Sequence, residues 1–448
     1  MKIKYGIAKR NLTPEGPISL AGYFNERMWD RILDDIEVRA LVFHGGDGPA
    51  AILHFDLLHV STNICEAILD EAHRRGATQY TLDNVLFTGI HTHTAPNMAP
   101  GAYPYSDAYR KLVFERSVDA LLEAEADCRE GELFHGLTAD ARFLFNRRYW
   151  MKDGTVRTNP GKLNPDIVRP EGEIDPEIPI VSLRRDGKDD VVICSIVNHS
   201  DTIGGTGVSA DWHHFLREEV MRKTGASMVF SLLGASGNIN HFDVSSAADQ
   251  GSYDEARRIG MGYAESVLAA LPSLVPVKGD SWRLLHGVAE CLPRSISEEE
   301  IASARETLAK CGDAKMEEGK AFTSEDLANG HPAILRYFAE RLIAQSENHD
   351  PMRFPLVGFL LGDSVAIASL PSEPFTEIGL ELRKDIFRER TCLVATISWS
   401  GQTKNLSGYI PNPWNYGRGG YESAPRSNPF EKDTAPRLLA TWRRILGK

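Results

Sequence analysis

This sequence predicts an α/β fold with a mixed β-sheet core flanked by helices, and three observations predict it. The first third alternates apolar, strand-like runs with amphipathic helical stretches. Several of those runs end in a histidine or a carboxylate, where ligands of α/β proteins sit, beyond the carboxyl ends of strands. A chain of 448 residues at 42% hydrophobic content can bury a large core.

Composition narrows the function classes. A net charge of −12 argues against nucleic acid and against anionic membrane surfaces, which favour basic faces. No apolar run approaches the roughly 20 residues a bilayer span needs. The start, Met1-Lys2-Ile3-Lys4-Tyr5-Gly6, runs into foldable sequence without a signal-peptide core. Six dispersed cysteines with no Cys-x-x-Cys pair suit ordinary buried thiols rather than disulfides or a thiolate metal site. The expectation is a cytoplasmic, single-domain protein over residues 1–448, without integral membrane association, acting on a small-molecule substrate. Nothing in the sequence specifies an oligomeric state.

In chain order, Arg39–Phe43 and Ala50–Asp56 read as strands joined by the turn Gly45-Gly46-Asp47-Gly48. Asp56 ends the second strand, placed to reach a site at the sheet edge. Asn63–Arg75 reads as a helix with Ile64, Ile68 and Leu69 on its apolar stripe. Val85-Leu86-Phe87 then opens a buried strand that leads through His91-Thr92-His93 to Pro96. Strand alternation puts His91 and His93 on one face. Both can address one cation, or one can bind it while the other meets substrate; otherwise they are two polar residues ending a strand.

Asp107–Ala126 is a second amphipathic helix, and Phe143–Asp166 is a long stretch dense in turn formers. There, Arg147 or Arg148 offers a planar donor fork suited to a carboxylate or polarised carbonyl, or else a surface salt bridge. Val191–Val197 is a β-branched run leading to Asn198-His199, the same grammar as the first site. Ser209 or Asp211 caps the next helix. His213 and His214 are adjacent and cannot face one way, so they read as surface or supporting residues rather than a ligand pair. Met228–Leu233 is a third buried strand, running into Gly234-Ala235-Ser236-Gly237-Asn238-Ile239-Asn240-His241. Its small residues let the backbone approach a ligand, and its two asparagines can hydrogen-bond an oxygen. The lysine and spacing of a phosphate loop are missing.

Ser297-Glu298-Glu299-Glu300 is a capping box that opens a helical outcrop at about 297–347, with Pro332 in the first turn of its last helix. Its charges read as a solvated face. Leu356–Leu361, a Gly362-Asp363 turn and Val365–Leu370 form a hairpin. Glu373 follows where that apolar strand meets a helix from about Thr376, and one carboxylate with two histidines is a zinc-hydrolase ligand set. Ser398–Phe430 is irregular and rich in aromatics (Trp399, Tyr409, Trp414, Tyr416, Tyr421), which suits a loop lying across a pocket.

Six segments in order carry a resemblance. They are His91-Thr92-His93-Thr94-Ala95-Pro96, Asn146-Arg147, Asn198-His199, Gly237-Asn238-Ile239-Asn240-His241, Leu370-Pro371-Ser372-Glu373-Pro374-Phe375, and Tyr409 through Tyr421-Glu422. Together they resemble the N-terminal metal-binding domain of the neutral/alkaline, non-lysosomal ceramidase family over nearly the whole chain. The resemblance implies one catalytic Zn2+ per chain, held by His91, His199, Glu373 and Tyr409. It implies also that His93, Arg147 and Tyr421 line the substrate side. Asn240 stands where the ceramidases carry serine, Asn238 where they carry aspartate, and Ala95 where they carry glycine. The family's C-terminal β-domain has no counterpart here, so the expected substrate is something other than membrane ceramide.

The expected chemistry is hydrolysis of an amide or related acyl bond in a small polar molecule. His93 serves as base or proton shuttle, and Tyr421, Arg147 or Asn240 steadies the oxyanion. Asn146, Arg147, Asn240 and Tyr416 are the expected substrate-binding residues. A metal-assisted lyase or glycoside-cleaving enzyme is one alternative, with Trp399, Trp414 and Tyr416 stacking on sugar rings. A non-catalytic binding homologue is the other. An amidohydrolase barrel would need an eightfold strand–helix repeat that the sequence does not show.

Overall fold

The structure, a computed structural model, describes residues 1–23, 26–45, 48–99, 104–315, 326, 330–398 and 408–448. Strand β1 (Lys2–Asn11) pairs antiparallel with β2 (Glu37–His44), and β2 pairs antiparallel with β3 (Ala50–Phe55). Helix α1 (Thr62–Arg74) crosses over to β4 (Val85–Gly89), which lies parallel to β3. Helix α2 (Asp107–Ala126) leads to β5 (Arg129–Ala139), on the other side of β1. The turn-rich stretch that follows is a small sheet rather than a loop, made of β6 (Arg148–Met151), β7 (Val156–Thr158) and β8 (Ile167–Pro170). Its Asp-Gly and Asn-Pro pairs are the turns between short strands.

Strands β9 (Glu177–Arg185) and β10 (Lys188–Ile196) form a hairpin; α3 (Trp212–Thr224) then crosses to β11 (Met228–Leu233), parallel to β10. The large sheet runs β11-β10-β9-β5-β1-β2-β3-β4, with the short strand Val275–Pro276 beside β5. After α4 (Tyr253–Ala270) comes β12 (Trp282–Cys291), then the outcrop helices α5 (Glu298–Cys311) and α6 (Pro332–Ser346). The capping box at Ser297 forms as the sequence predicts. Strands β13 (Met352–Leu361) and β14 (Val365–Pro371), helix α7 (Thr376–Glu381), strand β15 (Thr391–Ser398) and helix α8 (Thr434–Ile445) complete the order. The second sheet runs β12-β13-β14-β15, and its last pair is parallel.

The two sheets pack face to face through Phe43, Ile52, Leu86, Ile193 and Phe230 on one side and Phe359, Ile367 and Leu393 on the other. The outer face of the large sheet is covered by α1 and α2 at one end and by α3 and α4 at the other. The outer face of the smaller sheet is covered by α7 and α8. The architecture is therefore helix, sheet, sheet, helix. The three parallel pairs of the two main sheets (β3/β4, β10/β11, β14/β15) are each joined by a helical crossover, as parallel strands usually are. Their carboxyl ends are where the candidate ligands fall.

One sequence reading changes here and another narrows. Asp56 does not reach a site; it is fully buried, with its carboxylate held by Arg217 at 2.7 Å and Arg39 at 3.2 Å. Burial alone would raise its pKa, but the two guanidiniums hold the carboxyl well below the usual carboxylate range. Of the two readings left open for His213, the supporting one holds, and the residue is not at the surface. It is buried, stacked at 3.6 Å on Trp212, with its ring nitrogens on Ser231 and Ser200. Gly46, Asp47 and Trp399 lie outside the described residues.

Candidate metal centre

Three strand ends converge. β4 stops at Gly89, and His91 follows with φ of 61°, so the turn beyond the strand, rather than strand pleat, aims this imidazole. A positive φ at a non-glycine residue is strained and is found mostly where function holds it. Ser372, just beyond β14, and Ile397, near the end of β15 where the pairing shifts register, also have positive φ, of 56° and 51°. β10 ends at Ile196 and delivers His199, whose backbone carbonyl accepts a 3.2 Å hydrogen bond from the Trp212 indole. β14 ends at Pro371 and delivers Glu373.

The ligand atoms of His91, His93 and His199 all lie within 4.8 Å of one another. Glu373 Oε2 lies 3.2 Å from His91 Nε2 and 3.9 Å from His199 Nε2. His91 Nδ1 donates to the Leu58 carbonyl at 2.7 Å, which fixes its tautomer and turns an unprotonated Nε2 toward the cluster. Both ring nitrogens of His93 are buried without a hydrogen-bond partner, and Glu373 Oε2 is likewise unsatisfied. Buried polar atoms left unsatisfied cost free energy, so the imidazoles and carboxylate gathered in this way fit a divalent cation, with His93 placed either as a ligand or as the imidazole that meets substrate.

The electrostatics agree. Burial, reinforced by neighbouring positive groups, pushes His93 and His199 well below the ordinary imidazole value, so both are neutral donors at pH 7. Burial also opposes charge on His91, but the adjacent Glu373 carboxylate outweighs it and raises the pKa. The same pairing holds Glu373 below the usual carboxylate range despite its burial.

Other expected residues divide into those at the cavity and those away from it. Tyr409 lies in register with Glu373 in a short parallel pairing, Glu373–Pro374 beside Tyr409–Ile410. The Arg147 guanidinium sits over its ring at 5.2 Å, donates to the Gly237 carbonyl at 2.8 Å and pairs with Glu422 at 2.7 Å. Arg148, the neighbour in sequence, is bound instead to Glu171, Glu422 and the Gly419 carbonyl. Tyr421 stacks edge-on against Tyr409 at 5.6 Å. Tyr409, Arg147 and Tyr421 line a cavity of about 1190 Å³ together with the three histidines and Glu373, and Arg148 lies behind it.

Asn146, Asn240 and Tyr416 are not brought to that cavity. The Asn146 carboxamide accepts from the Arg148 N–H and donates to the Glu173 carbonyl, holding its own turn. Asn240 is one step removed, bonded at 3.0 Å to the cavity-lining Asn159. The Tyr416 hydroxyl donates to the carbonyls of Phe430 and Glu431, both at 3.1 Å, which secures the C-terminal segment. Trp414 is 54% exposed.

The Gly234–His241 loop is also used differently from the sequence reading. A Cβ on Gly237 would stand 2.4 Å from the Glu373 carbonyl oxygen, and Gly237 N–H bonds the Pro374 carbonyl at 2.9 Å. Asn238 accepts from the Thr376 N–H at 2.8 Å and donates to Glu377 at 3.1 Å. The small residues therefore let this loop seat the backbone that carries Glu373. Gly237→Ala is expected to cost about 1–3 kcal/mol and to loosen the site by displacing Glu373, as read by urea denaturation and metal retention.

Asp201, Tyr23, His59 and the α6 residues Tyr337, Phe338 and Arg341 line the cavity without having been singled out from sequence. Tyr23 donates to Asp201 at 2.5 Å, and Asp201 Oδ1 lies 3.7 Å from His93 Nδ1. A signal for Asp201 did exist: His199-Ser200-Asp201 repeats the spacing of His91-Thr92-His93 at the second crossover. The two turns are also tied directly, Ser200 Oγ donating to the Ile90 carbonyl at 2.7 Å and His93 N–H to the Ser200 carbonyl at 3.2 Å.

No family model matches the sequence, and no curated protein matches it. Solved structures do resemble it. Neutral ceramidase from Pseudomonas aeruginosa superimposes with a TM-score of 0.73 at 15% identity, covering 100% of this chain and 74% of that one. A ceramidase complexed with C2 gives a TM-score of 0.71 at 14% identity, covering 100% of this chain and 75% of that one. At such identity the likeness is one of architecture, and this chain has the neutral-ceramidase fold.

Proposed function

We propose that the chain is a zinc-dependent hydrolase that cleaves an amide or related acyl bond in a small polar substrate. The observation that carries this reading is the convergence of His91, His199 and Glu373 from three separate strand ends, with Nε2 of each imidazole within 3.9 Å of one carboxylate oxygen. Tyr409, in register with Glu373, completes the set. When bound, a zinc ion supplies Lewis acidity and an acidified water near neutral pH.

The remaining roles belong to the chain's own side chains. His93, neutral and with both nitrogens unpartnered, accepts a proton during attack and returns it to the leaving group. Asp201 and Tyr23 pack against its far side and hold the ring. Arg147 keeps its charge although buried, because Tyr409 and Glu422 offset the burial, and presents it toward a developing oxyanion. Tyr421 adds a neutral donor, worth roughly 3 kcal/mol if well placed. Burial pushes the Tyr421 phenol up to about 12, so at neutral pH it donates a proton rather than removing one.

The test joins elemental analysis of the purified protein with mass spectrometry of products from a panel of N-acyl amino acids and simple amides. Bound zinc and release of acid plus amine are expected. An unsaturated product would establish elimination, and metal-free protein without turnover would leave a binding homologue. His93→Ala is expected to keep its metal while turnover falls by roughly 10²–10⁴-fold, the ordinary worth of a general base. Loss of the metal from that variant would make His93 a ligand instead.

A further inference from the structure

We propose that the mouth of the cavity is an oxyanion subsite, so that the substrate carries a carboxylate, sulfate or similar anionic group at the end remote from the metal. The inference rests on the hydrolase reading for the word substrate, but the binding it describes does not. The chain as a whole is acidic, at −12, yet four arginines line this cavity: Arg147, Arg157, Arg341 and Arg426. Two of them are paired with carboxylates. Arg147 pairs with Glu422 at 2.7 Å and Arg157 with Asp153 at 2.7 Å.

The other two are not. Among the described residues no carboxylate lies within ion-pair distance of Arg341 or Arg426. The Arg426 guanidinium lies over the Phe338 ring at 4.2 Å and near Tyr421 at 5.8 Å, and its Nε is buried with no acceptor. Arg341 bonds the Tyr337 hydroxyl at 2.7 Å, a neutral partner that leaves its charge uncompensated. Phe338 and Arg341 are three residues apart on α6 and therefore neighbours on one helix face. Arg426, stacked on Phe338, thus comes alongside Arg341 where the outcrop meets the aromatic segment.

A guanidinium has no acceptor capacity, cannot lose its proton at working pH, and matches planar or tetrahedral oxyanions bidentately. Two of them unpaired beside apolar ring faces, in an otherwise acidic protein, are complementary to an anion joined to an apolar or cyclic body. From this mouth Tyr421, Tyr409 and Arg147 lead inward in successive ring contacts of 5.6 Å and 5.2 Å. The subsite and the histidine cluster therefore border one cavity and are joined through Tyr421 and Tyr409.

The probe is toluenesulfonate, measured against p-tolyl methyl sulfone, a neutral molecule of nearly the same shape, by calorimetry on the purified full chain. Toluenesulfonate is expected to bind at least about tenfold more tightly, one paired charge-assisted contact or more. Its advantage should shrink as salt is raised. In Arg341→Gln/Arg426→Gln the preference should fall below about threefold. Arg426→Lys and Arg341→Lys, which retain charge, should restore part of it with an unchanged melting temperature. Equal affinity for the two probes, no binding of either, or a preference that survives the double glutamine variant would overturn the proposal. His91→Ala should keep the preference, so a failed metal assignment and a failed anion subsite give different results.

Discussion

His91→Ala is expected to come off purification with well under one equivalent of zinc and with no measurable turnover, while the wild-type chain holds about one. The geometry makes this the most damaging change at the site. His91 is the imidazole closest to Glu373, at 3.2 Å, and the one whose tautomer is fixed by a backbone carbonyl, Leu58. Removing it also strips the half-buried Glu373 of the neighbour that stabilises its charge. Glu373→Ala should give the same pair of losses, since it removes the anion on which two strand ends converge. Elemental analysis with activity on the hydrolysed member of the panel checks both variants. Full metal and full activity in either would refute the assignment.

Glu422→Ala should produce the largest loss of stability. The carboxylate is fully buried between Arg147 at 2.7 Å and Arg148 at 2.8 Å, and it also accepts from Thr158 at 2.6 Å. Deleting one member of a buried ionic group leaves uncompensated charge, here most of all on Arg147, and costs roughly 3–5 kcal/mol. Urea denaturation at pH 7 reads that loss. Burial would raise the Glu422 pKa, but Arg147 and Arg148 together hold it below the usual carboxylate range. Its contribution is therefore complete above the ordinary carboxylate value and is lost as pH falls through the depressed one. The stability gap between wild type and variant should accordingly narrow in acid.

Much of the scaffold was readable along the chain because its signals are local. Met228–Leu233 and Asp107–Ala126 are apolar or amphipathic runs of the right length, and the structure places a strand and a helix over those same residues. The hairpin around Gly362-Asp363 and the capping box at Ser297 depend on residues a few positions apart, and both form as read. The strand-end histidines and Glu373 were visible as polar residues that terminate apolar runs. Less legible was the small sheet β8-β6-β7, whose strands of three or four residues are too short to establish a period. Asn146 and Tyr416 looked available because sequence does not show that neighbouring carbonyls already satisfy them.

By itself, then, the sequence determined the α/β class, the strand-end grammar and the residue types able to hold a divalent ion, since each follows from contacts between near neighbours. The tertiary structure decided which of those residues meet. It turned His91 inward through a strained φ and brought the outcrop helix over the cavity. It also withdrew Asp56 into a buried pair with Arg39 and Arg217. Those outcomes depend on packing between separate segments, from 17 to 161 residues apart for the Asp56 contacts, where sheet order and crossover geometry, rather than local propensity, set the distances.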